Sequence, residues 1–380
     1  MTMDIVLIGG GHAHVHVLAG LAKRPLPGVR VTLVARDLAT PYSGMLPGVI
    51  AEIYRAEQAH IDLVRLAAAT GTRIIHAEAN GLDRAGKRVL LAGQPAVSYD
   101  LVSIDVGIAP SLTPIKGAAE HAIAVKPIGS FLGKIDALIE ACRRQDGPRR
   151  IVGIGGGAGG VELLLSLRTR LMAEAKNGAA FSFTLVTDGD ILATHNRRVR
   201  AAFRRVFADR GVTVRENARA GEITANAVKL ENGETIAADA VLVTTDAAAP
   251  LWFRDTGLAL DARGFVAVGP TLQSTNDPDV FAAGDCAALV ASPREKAGVY
   301  AVRAGPPLAD NLHRRARGVA LKAWHPQANH LALISTGERY AVASRGALKA
   351  EGAFLWTIKD WIDRRWMRQY QDVDANHFVP

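Results

Sequence analysis

The chain has 380 residues, enough for two or three domains, with 49% apolar residues, 37 glycines and a formal net charge of +8. Its two cysteines lie far apart and outside any CxxC pair, which excludes a disulfide scaffold, a cysteine zinc site and a dithiol redox centre. No apolar run reaches the roughly 18–20 residues of a membrane span and no signal-peptide pattern opens the chain, so a cytoplasmic protein is expected, soluble or resting on the membrane face. The basic residues are spread out without stacking aromatics, which points to solvated faces and away from nucleic acid.

Residues 4–8 read as an apolar strand, Gly9-Gly10-Gly11-His12-Ala13 as a turn, 13–22 as a helix and 29–35 as a β-branched strand. That order is the layout of a dinucleotide-binding unit, in which glycine lets the backbone approach a pyrophosphate at a helix N-terminus. Gly9 and Gly11 match the first two fingerprint glycines, whereas the third position holds His14, predicting a helix set slightly farther from its strand. The acid usual at the end of the second strand is missing; Ala35 stands there, with Arg36 and Asp37 beside it. His12, His14 and His16 raise a metal-dependent hydrolase as an alternative. No later His completes such a ligand set, so no metal site is predicted, and His12 is expected over the cofactor phosphates. Residues 40–48, TPYSGMLPG, form an ordered irregular loop of the kind that carries function. A helix is predicted over 60–70, strands over 73–79 and 87–92, and a buried strand over 101–106 that ends at Gly107.

Residues 113–148 read as a bridge with a helix near 131–143, after which the pattern restarts. A strand over 150–154 leads to Gly155, Gly157 and Gly160, a helix over 160–172, a strand over 181–187, a helix over 197–209 and a strand over 212–215. Asn232-Gly233 marks a hairpin, and the strand over 240–245 echoes 101–106, so the recurrence reads as an internal duplication. Glu162, opposed to a phosphate at this helix end, suits either a carboxamide or ribose contact or a favourable N-terminal charge. Asp188 suits an adenosine 2′-hydroxyl, which favours NADH over NADPH. A strand over 280–283 ends in Gly284-Asp285, a carboxylate placed for the ribityl hydroxyls of a flavin, and a helix over 298–312 follows. In 354–370, Leu355, Ile358, Trp361, Ile362, Trp366 and Tyr370 form an apolar stripe interleaved with Lys and Arg, suited to a peripheral membrane contact or to packing in a domain or homodimer. The predicted fold is α/β: two Rossmann-like three-layer dinucleotide-binding domains, 1–112 with 246–312 and 113–245, plus a small C-terminal α+β region over 313–380.

GGGHAHVHVL, TPYSGMLPG, VKPI at 125–128, KAGVYAVRAGPPLADNL at 296–312 and LISTGERYAVASRG at 333–346 carry a resemblance to a known family. The chain resembles the two-dinucleotide flavoproteins of the pyridine nucleotide-disulfide oxidoreductase superfamily. Within it, the chain is most similar to the type II NADH dehydrogenase-like module associated with selenophosphate synthetases. The resemblance implies FAD on the first domain, NAD(P)H on the second, hydride passing from nicotinamide C4 to flavin N5, and a quinone or other small electron acceptor. The alternative it raises is a flavin-binding accessory protein of selenium metabolism with little dehydrogenase turnover. It implies FAD contacts at Gly9, Gly10, Gly11, His12, Ala13, Arg36, Ala79, Gly107, Gly284 and Asp285. Nucleotide contacts are implied at Gly155, Gly157, Gly160 and Asp188, with Lys126 and Glu162 as catalytic residues. The redox cysteines of disulfide-reducing relatives are absent, leaving flavin as the redox centre. Asp105 and Asp246 stand where the family carries ATG, so cofactor contacts are expected to depart from the family pattern there.

Overall fold

In the computed structural model of the protein, residues 2–110, 115–126, 128–175, 180–244 and 247–372 are described. The first unit runs β1 (Met3–Ile8), α1 (His12–Lys23), β2 (Val29–Ala35), β3 (Arg73–His76) and β4 (Leu101–Ile104). The second runs β5 (Ala122–Ala124), α2 (Ile128–Arg143), β6 (Arg150–Ile154), α3 (Ala158–Glu174), β7 (Ser182–Val186), α4 (Arg197–Asp209), β8 (Val212–Arg215) and β9 (Ala240–Val243). The chain then returns to the first unit with β10 (Asp277–Ala282) and α5 (Gly298–Ala316). It ends in β11 (Ala332–Ser335), β12 (Ala341–Arg345), β13 (Leu348–Gly352) and α6 (Ala353–Gln371).

Strands such as Ile5–Ile8 and Leu101–Ile104 are buried along their whole length because helices or loops cover both faces of a parallel sheet. The parallel part of the first sheet has the order β3-β2-β1-β4-β10, and the second sheet the order β8-β7-β6-β9-β5. β1 and β6 lie centrally, with β2 and β3, or β7 and β8, to one side and β4 or β9 to the other. A three-stranded antiparallel meander precedes β4 and β9 in the two units, within 79–98 and 220–237. The expected duplication therefore extends to topology, and to main-chain register as well. Gly9 N–H donates to Val34 O at 2.8 Å and Gly155 N–H to Val186 O at 2.9 Å, while Asp105 and Thr244 donate to Ile8 O and Ile154 O, both at 2.8 Å.

Three local expectations are corrected. Residues 60–70 do not form one helix: His60–Asp62 pairs as a strand with Ala39–Pro41, and Asp62 then caps a short helix, Leu63–Ala68, by accepting from Val64 and Arg65 N–H. The strand expected over 73–79 stops at His76, and Ala79 opens a strand of the meander. The C-terminal helix is present, but its apolar residues divide between two faces. Leu355, Trp366, Met367 and Tyr370 turn inward, together with Lys359 and Asp363. Phe354, Ile358, Trp361 and Ile362 turn outward, with Phe354 60% and Trp361 54% exposed. The inward face packs on the first unit, where Trp366, Met367 and Tyr370 join its core. Helix α5 lies against α1, where Gly305 admits the His16 side chain and Gly20 faces Ala309.

Candidate functional site

The first glycine turn brings together the ends of β1, β4 and β10. Gly9 has φ +92°, and a side chain there would overlap the Asp105 carbonyl. Gly11 precedes α1 without a cap of its own. Asp105, just past β4, supplies that cap: its Oδ2 accepts from Ala13 N–H at 2.8 Å and His14 N–H at 3.1 Å. The residue is 2% exposed, and a Cβ on Gly11 or on Gly284 (φ +68°) would overlap its carboxyl group. Burial pushes Asp105 up to about 7; the two amides pull it down and Asp285 pushes it further up.

His14, at the third fingerprint position, is fully buried. Its Nδ1–H donates to Gly9 O at 2.6 Å and its Nε2 accepts from the Ser103 hydroxyl at 2.8 Å. Burial holds the imidazole at about 4, so it is neutral and acts as a hydrogen-bonded spacer. In the second turn the corresponding Gly160 has no room for even a methyl group, because Cβ would overlap the Gly155 carbonyl.

His12 lies at the mouth of this turn. Its Nε2 is buried and unpartnered among the described residues, and its ring sits 5.6 Å from Tyr42 and 5.4 Å from Trp366, which stack on each other at 4.2 Å. Burial pushes His12 down to about 4, with Asp285 opposing and Lys126 reinforcing. Lys126 itself donates to Asp285 Oδ2 at 2.9 Å, so the bridge residue, the β10-end acid and His12 share one locality. The Thr40 hydroxyl donates to Gly10 O, and Gly10 lies against Leu63, which closes the turn's rear. Gly107 (φ +73°) faces open space. Arg36, at the end of β2, pairs with Asp37 at 2.8 Å and lies 3.8 Å from Glu78, next to buried Ala79. The three imidazoles diverge: His16 goes to the Tyr370 hydroxyl at 3.2 Å, and no group of three metal-type ligands occurs among the described residues.

The second turn repeats the backbone with different filling. Gly155 has φ +119° and a Cβ there would overlap Thr244, while Gly157 and Gly159 face open space. No side chain caps the N-terminus of α3, and the Thr244 hydroxyl donates to Ile154 O at 3.0 Å. Asp188 is exposed just beyond β7, and Asp246 lies outside the described residues. Glu162 turns to the C-terminal sheet, where its Oε1 accepts from Ser335 N–H at 2.6 Å. Burial pushes it up to about 7 against the nearby Lys359. Lys359 donates to Gly44 O at 2.7 Å and to Asp363 Oδ2 at 2.6 Å, and Tyr42 also bonds Asp363. This group ties the 40–48 loop, α3, β11 and α6 together. Sequence reading missed the Lys359–Asp363 pair, whose i,i+4 spacing was the available signal. Both cysteines are buried and free; burial pushes Cys286 up to about 12, an inert thiol.

Open space at Gly107, Gly157 and Gly159 and the orphaned nitrogen of His12 fit two bound dinucleotides better than a self-contained core. Comparisons with known proteins bear on this directly. The family model for pyridine nucleotide-disulphide oxidoreductase matches residues 3–315. NADH dehydrogenase-like protein YutJ of Bacillus subtilis is 25% identical over 329 residues, 85% of this chain and 86% of that protein. The sulfide:quinone oxidoreductase of Aquifex aeolicus has a similar structure, with a TM-score of 0.80 at 17% identity over 98% of this chain and 92% of that one. The water-forming NADH oxidase of Lactobacillus brevis gives 0.73 at 18% identity over 91% and 75%. At such identities the structural likeness establishes the fold.

Proposed function

The chain belongs to the pyridine nucleotide-disulphide oxidoreductase family, and on that premise we propose that it is an FAD-dependent NAD(P)H dehydrogenase passing electrons to a quinone or other small acceptor. One observation carries the reading: two glycine turns in the same main-chain register, each with an open side at the C-terminal edge of its parallel sheet. Gly9, Gly10, Gly11, Ala13 and Gly107 would line the FAD diphosphate, Arg36 and Ala79 its adenosine end, and Gly284 with Asp285 its ribityl chain. Gly155, Gly157 and Gly160 would hold the nicotinamide nucleotide, with Asp188 on the adenosine ribose and hence a preference for NADH.

A bound flavin supplies the two-electron chemistry, and the chain supplies alignment and charge. Lys126 balances the Asp285 carboxylate at 2.9 Å. Glu162, held near 7, can keep or give up a proton at neutral pH and is assigned the proton that accompanies nucleotide oxidation. The outward face of α6, Phe354, Ile358, Trp361 and Ile362 beside exposed Arg365 and Arg368, suits an anionic membrane from the cytoplasmic side, where a quinone acceptor resides. Flotation of the protein with anionic liposomes tests that contact; a stable homodimer that buries the same face instead would overturn it.

The decisive experiment is anaerobic mixing with NADH. Purified protein is expected to carry FAD and to lose its absorbance near 450 nm rapidly. Colourless protein that takes up no FAD on reconstitution sinks the proposal. Yellow protein that NADH leaves unchanged supports the flavin-binding accessory role in selenium metabolism.

A further inference from the structure

We propose that Asp105 is a proton-operated restraint on the first dinucleotide cradle, so that FAD binding there is accompanied by uptake of a proton on this side chain. The inference rests on FAD being the occupant of that cradle. It adds a residue that determines how tightly, and at what pH, the cofactor is held.

Three amides at the start of α1 lack intrahelical partners: those of His12, Ala13 and His14, since Val15 N–H already donates to Gly11 O at 3.1 Å. Asp105 Oδ2 takes two of the three, and Gly11 N–H is spent on the Asp105 carbonyl at 3.1 Å. Of these three α1 amides, that of His12 remains for an incoming phosphate. In the second turn, Thr244 occupies the equivalent place, as the matching N–H bonds to Ile8 O and Ile154 O establish, and it leaves α3 uncapped. The two cradles thus differ by one carboxylate at the spot where a helix N-terminus attracts anions. That carboxylate is held from both sides, by Gly11 and Gly284, and cannot swing away without moving backbone.

The groups facing Asp105 do not neutralise it. From α1 come His12 and His14, both held neutral by burial. Ser103 on β4 is engaged by His14, and the end of β1 contributes only Gly9 and Gly10. From the end of β10 come Asp285, already paired with Lys126, and the buried thiol of Cys286. Lys296, before α5, donates to Ala287 O, and α5 itself turns Ala301 toward Gly284. Buried with another carboxylate nearby, Asp105 titrates near neutrality. A bound diphosphate is a further anion beside it and favours its protonated form. Once protonated, the group keeps Oδ2 on the Ala13 and His14 amides, while Oδ1, against Gly284, becomes an O–H donor. A repelling charge beside the cradle becomes a neutral group.

The sign follows from linkage: affinity for FAD is highest below pH 7 and falls by up to about tenfold per pH unit above it. The test uses deflavinated full-length protein and reads FAD affinity by quenching of FAD fluorescence from pH 6 to 9, alongside NADH affinity at the second turn. Calorimetry in two buffers of different ionisation enthalpy counts the protons taken up. The wild type is expected to weaken about tenfold per unit above pH 7 with uptake approaching one proton. Asp105→Asn, which keeps the cap and removes the charge, should show a flat profile, matching wild type at pH 6 and binding at least about tenfold tighter at pH 9. Asp105→Ser, closer to Thr244, serves if Asp105→Asn does not fold, and NADH affinity should ignore both changes. Wild-type and variant profiles of equal slope overturn the inference while the cofactor reading stands. FAD refused by all three proteins at every pH overturns the cofactor reading and this inference with it. Unfolding of the flavin-free proteins adds a check: wild type should lose stability relative to Asp105→Asn as pH rises from 5 to 8.

Discussion

The two glycine turns share strand order, register and left-handed first glycines, yet they are filled differently. The first encloses a carboxylate, an imidazole and a roof of aromatic rings from α6 and the 40–48 loop; the second leaves a bare helix end beside a threonine hydroxyl. Glycine spacing therefore specifies the backbone path, while the capacity to hold an anion depends on side chains brought in from distant strands. Helix α6 serves both turns, covering His12 with Trp366 and facing Glu162 with Lys359.

The contrast can be broken most sharply at the glycines. Gly160→Ala drives a methyl group into the Gly155 carbonyl, which is backbone and cannot yield, so a loss of about 3 kcal/mol or more is expected in urea unfolding. Gly11→Ala meets the Asp105 carboxyl group as its nearest neighbour, so adding Asp105→Ala should restore part of its lost stability, less the cap that Asp105 supplies. Adding Thr244→Ala to Gly160→Ala should restore little. Equal rescue in both turns would remove the distinction drawn between them.

Next in size is Lys359→Met, which leaves buried Asp363 unpaired at a cost of about 3 kcal/mol, readable as a lower melting temperature. Because Lys359 also restrains Glu162, its loss should move the pH dependence of nucleotide oxidation upward. An unmoved profile would detach Glu162 from the proton step.

Acid should expose the imidazoles of the first turn. His12 and His14 are held at about 4 when folded and titrate near 6.5 when unfolded, so the unfolded chain binds more protons in between. Stability is then fully present above pH 6.5 and is lost as pH falls toward 4, on the order of 3 kcal/mol per ring. His14→Asn should flatten its share of that slope in denaturant titrations at pH 7 and 4.5. The smallest effect is expected at Asp188→Ala: about tenfold weaker NADH binding, with FAD affinity and NADPH affinity nearly unchanged. Equal weakening of NADH and NADPH would take Asp188 off the ribose.

Much of this was legible in the sequence because the signals are local. Apolar runs such as Ile5–Ile8 mark central parallel strands, Asn232-Gly233 does join two antiparallel strands, and the glycine turns do link strand to helix. The 60–70 segment misled because Asp62, a cap, sits two residues inside an apparently helical pattern. The apolar stripe of α6 misled because spacing of three and four residues is shared by neighbouring faces of one helix, and only packing on the first unit separates Trp366 from Trp361.

By itself, the amino-acid order determined the doubled strand–turn–helix plan, since hydrophobic period and glycine conformation act over a few residues. Tertiary structure alone decided that Asp105 caps a helix more than ninety positions away, that Lys126 meets Asp285, and that Lys359 stands between Glu162 and Asp363. Charges and donors find their partners through space, and which ones meet is set by how the sheets and α6 pack, a property no short stretch of chain contains.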